Sequence, residues 1–313
     1  MTRVILAGIG LLLVAGAIAL ALARTPDCTV ESLLPRWAPP PSDFISLKGE
    51  RVHYRDEGPR DDPLPLVLVH GTSASLHTWE GWVAALKSER RVISFDLPGF
   101  GLTGPSASGD YRDETYARFV LELLDELKVQ RFAIGGNSLG GEVAWRTALA
   151  APARVERLIL VDAAGYAYQP KSVPIGFRIA RIPLLNRIGD ILLPRSLVEA
   201  SVLKVYGDPS RVTPALVDRY FELTLREGNR RALGQRFQQM ALGADAARIR
   251  ELRLPTLILW GARDQLNPPE NARRFQADIA GSRLVMFDEL GHVPHEEDPA
   301  RTVAAVKQFL GPR

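Results

Sequence analysis

Apolar and polar residues alternate in blocks along most of this chain. Short apolar runs typical of strands are separated by stretches in which apolar residues recur at helical spacing. The runs cover residues 44–47, 51–55, 66–69, 92–95, 132–134, 158–161, 256–260 and 284–287. Most of them are apolar throughout, which indicates burial on both faces, so their order predicts an α/β fold with a mainly parallel sheet between helices. The first two runs lie close together and predict an antiparallel edge.

The alternation stops between residues 166 and 247. This stretch has several amphipathic helical patterns and no convincing strand pattern, and it is interrupted by prolines that include Pro174, Pro183, Pro194, Pro209 and Pro214. An insertion between two strands of a parallel sheet predicts a helical cap over the carboxyl edge of the sheet, with residues 43–165 and 248–313 forming the core. Some apolar cap residues are candidates either for a substrate surface or for packing within the cap: Ile175, Phe177, Ile179, Ile182, Leu184 and Leu185.

The N-terminus carries a different pattern. Residues 4–23 are uncharged and mostly apolar, and as a helix they would span about 30 Å, the thickness of the hydrocarbon core of a bilayer. We interpret residues 1–24 as a transmembrane anchor or a signal peptide, and favour an uncleaved anchor. Either interpretation predicts that the rest of the chain is exported and is periplasmic or extracellular. Residues 25–42 contain five prolines and predict an extended linker.

Composition narrows the possible functions. The chain has 313 residues, 46% of them hydrophobic, and a formal net charge of +3. This charge is too small to predict nucleic-acid binding, and no cysteine pattern predicts a metal site. Cys28 is the only cysteine, so no disulfide can form within the chain. The sequence does not determine the oligomeric state.

A serine lies at the centre of the sequence Gly136-Asn137-Ser138-Leu139-Gly140. An apolar strand pattern precedes this motif and a helical pattern follows it. A tight turn between a strand and a helix projects the serine hydroxyl from the edge of the sheet, and glycines on both sides keep the backbone clear of it. The pattern predicts that Ser138 is a nucleophile.

A serine nucleophile needs a base and a group that orients the base. Asp264 and His292 each follow a late strand, so both are expected at the same sheet edge as Ser138. Asp162 follows the neighbouring strand and is the alternative carboxylate. His295, Glu296 and Glu297 are interpreted as supporting or solvated groups.

The reaction also needs hydrogen-bond donors for the oxyanion. We expect one backbone N–H from Leu139, at the start of the helix, and one from Thr72, in the loop after residues 66–69. His70, at the foot of this loop, is interpreted as a residue that holds the loop in shape. Asp96 is interpreted as a turn residue that binds nearby amides.

Together these motifs resemble the α/β-hydrolase superfamily from about residue 44 to residue 310. The matching segments are His70-Gly71, residues 96–101, residues 136–140, Trp260-Gly261 with Asp264, and Gly291-His292. Residues 135–141 and 160–165 resemble a branch of capped bacterial lipases and esterases. The resemblance implies hydrolysis of small-molecule or lipid esters through an acyl-enzyme on Ser138, without a metal or organic cofactor.

Two other functions remain open. Carbon–carbon hydrolases of ring-cleavage products often share the Gly-Asn-Ser-x-Gly-Gly motif, but a tryptophan commonly follows their histidine, whereas Val293 and Pro294 follow His292. A binding protein with a hydrolase fold would usually have lost a catalytic side chain, and none is lost here. The sequence therefore favours a membrane-anchored esterase or lipase, with the carbon–carbon hydrolase second.

Overall fold

A single eight-stranded sheet forms the centre of the molecule. The computed structural model describes residues 24–167, 170–182 and 191–312. The strands are β1 (Asp43–Leu47), β2 (Glu50–Glu57), β3 (Leu66–Val69), β4 (Val92–Phe95), β5 (Phe132–Asn137), β6 (Val155–Val161), β7 (Thr256–Gly261) and β8 (Arg283–Phe287). Their order across the sheet is β1-β2-β4-β3-β5-β6-β7-β8.

The pairing confirms the predicted α/β fold. β1 pairs antiparallel with β2, and β2 pairs antiparallel with β4. Every other neighbouring pair in the sheet is parallel. All eight apolar runs of the sequence form strands. β3 to β5 and β7 are buried along their whole length, which explains why those runs lack polar alternation.

Helices cover both faces of this sheet. One apolar cluster contains Val120, Val143 and Phe275, each from a different helix. A second cluster, on the other face, contains Trp82 and Val306 from two further helices. The helices are α1 (Val30–Trp37), α2 (Glu80–Leu86), α3 (Asp113–Glu126), α4 (Leu139–Ala150), α5 (Ile175–Ala180), α6 (Arg195–Val205), α7 (Pro214–Thr224), α8 (Asn229–Gln239), α9 (Glu270–Asp278), α10 (Pro294–Glu297) and α11 (Pro299–Leu310).

Helices α5 to α8 lie between β6 and β7 in the chain and form the cap. The cap is attached to the core by polar contacts. The N–H of His292 donates to the carbonyl of Val205, at the end of α6, at 2.7 Å. Arg236 on α8 pairs with Asp113 at the start of α3, at 2.6 Å. The predicted limits of the cap, residues 166 and 247, include the four helices that the structure describes there.

The segment predicted as an extended linker, residues 25–42, is instead partly helical. α1 begins after Thr29, whose hydroxyl accepts the N–H of Ser32, and Pro35 lies inside the helix. Leu33, on its buried face, packs against Leu102 of the core and Leu223 of the cap. This packing overrides the low helix propensity of proline, so the linker prediction was wrong for residues 30–37.

The predicted anchor lies almost wholly outside the described residues, which begin at Arg24. Among the helices that the structure does describe, none is both long and apolar enough to cross a bilayer.

Candidate active site

Ser138 lies at the turn between β5 and α4 and has an unusual backbone conformation. Its φ is 55° and its ψ is −116°, a region that residues with a side chain rarely occupy. The strain is held by the surrounding backbone. The Ser138 N–H donates to Val161 at 3.0 Å, and the Ser138 carbonyl accepts from Ala164 at 2.9 Å and from Glu142 at 3.1 Å. The predicted strained turn is therefore present, with Ser138 at its apex.

The glycines around Ser138 are required by close backbone approaches. A Cβ at Gly136 would lie 2.1 Å from the carbonyl oxygen of Gly140, and a Cβ at Gly140 would lie 2.1 Å from that of Val69. Any side chain at these positions would force the strand and the helix apart. The glycines thus fix the position of Ser138 against the sheet.

Asp264 and His292 meet in a buried hydrogen bond. Asp264 Oδ2 lies 2.6 Å from His292 Nδ1, and both residues are buried. The other carboxylate oxygen, Oδ1, accepts the N–H groups of Leu266 and Asn267 at 2.8 Å and 2.9 Å. With Nδ1 engaged by Asp264, Nε2 is the imidazole nitrogen left for a substrate or a nucleophile.

Ser138 and His292 line the same cavity. Among the described residues, no hydrogen bond joins the Ser138 hydroxyl to His292. Such bonds often tighten only when a substrate is bound. The structure thus brings Asp264 to His292, and brings His292 and Ser138 to one cavity.

Asp162, the alternative carboxylate, does not hold the imidazole. It is fully buried next to Asp264, and its Oδ1 accepts the N–H of Gly261 at 3.1 Å. Ligand atoms of Asp162, Asp264 and His292 lie within 4.8 Å of one another, close enough to hold a metal ion. A metal there would compete with the bond between Asp264 and His292. The absence of a metal or cofactor stays a prediction.

The two predicted oxyanion donors, Thr72 and Leu139, also line the cavity. Within the described chain, neither backbone N–H donates a hydrogen bond to another protein group, so both are free for a ligand oxygen. The start of α4 adds positive electrostatic potential at Leu139. The structure thus places two free N–H groups in the cavity that holds Ser138.

His70 and Asp96 hold the loops beside these donors. His70 is fully buried; its Nδ1 lies 2.7 Å from the Gly71 carbonyl, and its Nε2 accepts the Leu97 N–H at 2.9 Å. Asp96 accepts the N–H groups of Leu76 and Leu102 at 2.7 Å and 2.8 Å. Both contact patterns agree with the predicted structural roles.

The cavity has a volume of about 480 Å³ and lies between the core and the cap. Of the apolar cap residues considered above, Phe177 and Ile179 line it, whereas Ile175 and Ile182 are exposed. Leu184 and Leu185 lie outside the described residues. Further apolar side chains line the cavity: Leu193, Leu197, Val198, Val202, Leu233 and Phe237. The wall suits an apolar substrate group.

Charged residues also reach this wall. Glu142, Arg181, Arg230 and Arg236 line the cavity. Arg230 pairs with Asp27, and Arg236 pairs with Asp113, each at 2.6 Å. Arg181 stacks over the ring of Phe237 at 5.2 Å and has no carboxylate partner among the described residues. Its guanidinium is therefore available to a ligand anion.

Sequence reasoning missed the role of Asn137. Its side-chain amide donates to the His292 carbonyl at 2.9 Å and to the Val161 carbonyl at 3.2 Å, so it joins the serine turn to the histidine loop. The only signal was its place in the motif before Ser138, which does not identify its partners.

His295 and Glu297 are buried rather than solvated. His295 Nε2 lies 2.9 Å from the Thr78 hydroxyl. Glu297 accepts the N–H groups of Gly291 and Gly207 at 2.9 Å and 3.0 Å. Both residues support the loop that carries His292, which agrees with the supporting role and excludes the solvated one.

The family model described as alpha/beta hydrolase fold matches residues 65–299. The chain belongs to the α/β-hydrolase family. Its core, with the serine turn at the end of β5 and the acid and histidine after β7 and β8, agrees with that membership.

Two curated relatives of this α/β-hydrolase carry different names. A 2-hydroxymuconate semialdehyde hydrolase of Pseudomonas sp. (strain CF600) is 27% identical over 277 residues, covering 85% of this chain and 92% of that protein. Lipase 1 of Psychrobacter immobilis is 28% identical over 272 residues, covering 83% and 81%.

A solved structure is similar over nearly the same length. The meta-cleavage product hydrolase CumD of Pseudomonas fluorescens IP01, solved as a mutant complexed with acetates, has a TM-score of 0.74 and 25% identity. The match covers 86% of this chain and 97% of that one. These similarities support a hydrolase. They do not identify the bond that is cleaved, which has to be inferred from the site.

Proposed function

We propose that this protein is a serine hydrolase in which Ser138 is the nucleophile, His292 the general base and Asp264 the residue that orients His292. One observation carries the proposal: the buried 2.6 Å bond between Asp264 and His292 leaves Nε2 for the cavity that Ser138 lines. His292 would take the proton of the hydroxyl as Ser138 attacks a carbonyl carbon. The free N–H groups of Thr72 and Leu139 would stabilise the resulting oxyanion.

For the substrate, we propose a ring-cleavage product in which a carbon–carbon bond is cleaved, a dienoate with a carboxylate and an aldehyde or ketone carbonyl. Two kinds of support favour it over an ester. A relative named for such a substrate and the structural neighbour CumD match this chain over most of its length. Arg181 adds a cation, unpaired among the described residues, to an otherwise largely apolar wall, which suits a substrate with one carboxylate and an apolar remainder.

The bond cleavage would proceed in two steps. Ser138 attacks the keto tautomer of the substrate, formed by transfer of the 2-hydroxyl proton to C5, and joins Oγ to the carbonyl carbon C6; the bond between C5 and C6 then breaks. Its electron pair passes into the conjugated 2-oxo group, and the resulting dienolate takes a proton from His292. Water, deprotonated by His292, then hydrolyses the acyl-enzyme to a carboxylic acid and restores Ser138.

Ester hydrolysis is the second candidate, favoured by the similarity to Lipase 1 and by the apolar cavity wall. The same three residues would cleave an ester, because an alkoxide leaves in place of the carbanion. The two functions differ in what Arg181 contributes, since a neutral ester offers it no carboxylate.

A substrate panel separates these candidates. The full-length protein should be assayed on 2-hydroxy-6-oxo-2,4-heptadienoate and on p-nitrophenyl esters from acetyl to palmitoyl. We expect a kcat/KM for the dienoate at least about tenfold above that for any ester. Ser138→Ala should reduce both activities by at least about 10³-fold. Equal rates for Ser138→Ala and the wild type would refute the serine mechanism.

Arg181→Gln tests the carboxylate site. We expect it to raise KM for the dienoate about tenfold and to leave ester hydrolysis nearly unchanged, because one charge-assisted hydrogen bond is lost. Arg178→Gln is the matched control, since Arg178 lies on α5, three residues away, and does not line the cavity. Esters hydrolysed faster than the dienoate, with no effect of Arg181→Gln, would favour the esterase.

We also propose that residues 4–23 attach the protein to a membrane, with the catalytic domain exported. The support is the length and apolar character of this run. The nearby cap also exposes apolar side chains, since Ile191 is 44% exposed and its carbonyl accepts the N–H of Thr25 at 2.9 Å.

A further inference from the structure

A second carboxylate lies against the acid–base pair. Asp162 follows β6 directly, is 0% exposed and has a φ of 44°. A carboxylate oxygen of Asp162, a carboxylate oxygen of Asp264 and a ring nitrogen of His292 lie within 4.8 Å of one another. This aspartate has a positive φ and is buried with no cationic partner in the described part of the chain. Both features lower the free energy of unfolding unless the surroundings compensate for them.

The two carboxylates differ in their hydrogen-bond partners. Asp264 accepts at both oxygens, from His292 and from backbone N–H groups, as an ionised carboxylate does. Asp162 accepts one N–H at Oδ1, while its buried Oδ2 has no donor facing it among the described residues. An ionised Asp162 would therefore place an unsatisfied charged oxygen beside a second charged carboxylate.

The surroundings of Asp162 favour its neutral form. Burial raises the pKa of Asp162 well above its usual value, and the charge of Asp264 raises it further. The other charged or titratable groups that face this cluster are Glu297 on α10, whose charge also raises the pKa of Asp162, and His295, which lies near His292. A neutral Asp162 turns the orphaned Oδ2 into an O–H donor.

We propose that Asp162 is a positioning residue, a neutral carboxylic acid whose Oδ2–H donates to Asp264 and fixes the orientation of the carboxylate that holds His292. The inference rests on the proposed serine-hydrolase function. The donated hydrogen bond fixes the rotamer of Asp264 and thereby the direction in which its Oδ2 faces His292.

Two substitutions of similar size separate this role from a structural one. Asp162→Asn keeps the shape, the neutrality and a hydrogen-bond donor, whereas Asp162→Leu removes the donor. The readout is the rate at which a serine-directed fluorophosphonate labels the full-length protein, measured across pH, since this rate needs no knowledge of the natural substrate. The acidic limb of the profile reports the protonation of the base.

We expect Asp162→Asn to retain the wild-type profile within about threefold in rate. Asp162→Leu should label about tenfold more slowly across the pH range, because Asp264 loses the hydrogen bond that fixes its orientation toward His292. If Asp162 is instead ionised, Asp162→Asn removes a charge and displaces the limb to lower pH, which overturns the proposal.

Every remaining outcome also decides the question. A wild-type profile for Asp162→Leu would show that the donor is not needed, and an Asp162→Asn protein that does not fold would show that the neutral acid is not the native form. If Asp162→Leu does not fold, Asp162→Asn alone carries the test. Failure of the serine mechanism is distinguished by wild-type protein that no fluorophosphonate labels, with Ser138→Ala as the reference.

Discussion

Asn137 is the residue that joins the serine turn to the histidine loop. It is 2% exposed, and its amide bonds to the His292 and Val161 carbonyls. Asn137→Ala would leave the His292 carbonyl without its amide donor, at about 1–3 kcal/mol of stability, whereas the Val161 carbonyl keeps the Ser138 N–H. We expect a lower Tm and a kcat reduced about tenfold by displacement of His292, with a smaller change in KM. Thermal melts and steady-state kinetics on the preferred substrate measure both effects.

Asn229→Ala is a suitable control for Asn137, because Asn229 is also buried and its amide donates to the carbonyls of Gly101 and Leu223, away from the histidine loop. It should lower the Tm and leave kcat close to the wild-type value. Equal losses of kcat in the two variants would contradict a specific role for Asn137.

Glu142 makes the stability of the fold depend on pH. Burial raises its pKa from 4.5 to about 7, helped by the charge of Asp113 and opposed by Arg146, which lies 3.1 Å away. A raised pKa favours the neutral acid in the folded state, so its contribution is complete below about pH 4.5 and is lost as pH rises through about 7. Above that pH the folded protein must hold a buried charge.

The prediction is that Glu142→Gln weakens this pH dependence. Between about pH 5 and pH 8 the wild type should lose on the order of 2 kcal/mol more unfolding free energy than the variant does. Urea unfolding at several pH values measures the difference. Parallel curves for the two proteins would mean that Glu142 stays ionised throughout this range.

At the scale of elements, the segment that joins the N-terminus to the core acts as a strap across the cap. We define the strap as residues 24–38. Cys28 exchanges backbone hydrogen bonds with Leu225 and Glu227, at 2.7 Å and 2.9 Å, and the Trp37 indole donates to Glu222 at 2.7 Å. Arg36 pairs with Glu222 and Asp218 on α7. The strap thus contacts the cap along its length.

Removal of the strap should loosen the cap. A protein beginning at residue 39 would lose the buried Leu33 and the backbone bonds to residues 225 and 227, whereas one beginning at residue 24 keeps both. We expect the shorter protein to melt at least about 3 °C lower and to be cleaved faster within the cap. Thermal melts and limited proteolysis followed by mass spectrometry compare the two. Equal cap protection would argue against a clamping role.

At the scale of the whole molecule, the sequence predicts what continuous patterns encode. The buried strands appear as apolar runs, and Gly136, Ser138 and Gly140 mark a turn whose geometry leaves few other residue choices. Helix α1 was missed because Pro35 lowers helix propensity, while the packing of Leu33 against distant residues is invisible in the sequence. The contact between Asp162 and Asp264 depends on two loops from different strands, so only the folded sheet brings it together.

The position of the strap also bears on how the protein would lie at a membrane. The apolar run 4–23 ends just before Thr25, whose N–H binds Ile191 at the rim of the cap, and Ile175 and Ile182 on the cap are 41% and 48% exposed. A membrane bound through this run would therefore lie close to an apolar part of the cap. Residues 166–254 carry 15 lysines and arginines against 8 aspartates and glutamates, which suits anionic headgroups.

We therefore expect the full-length protein to sediment with membranes and to resist a carbonate wash, because about 20 buried apolar residues hold a helix in a bilayer far more firmly than surface charge does. The protein beginning at residue 24 should be released into the soluble fraction. The intact mass of the membrane-bound form separates an anchor from a signal peptide, since cleavage would remove the run. A full-length protein that stays soluble with its N-terminus intact would contradict attachment through residues 4–23.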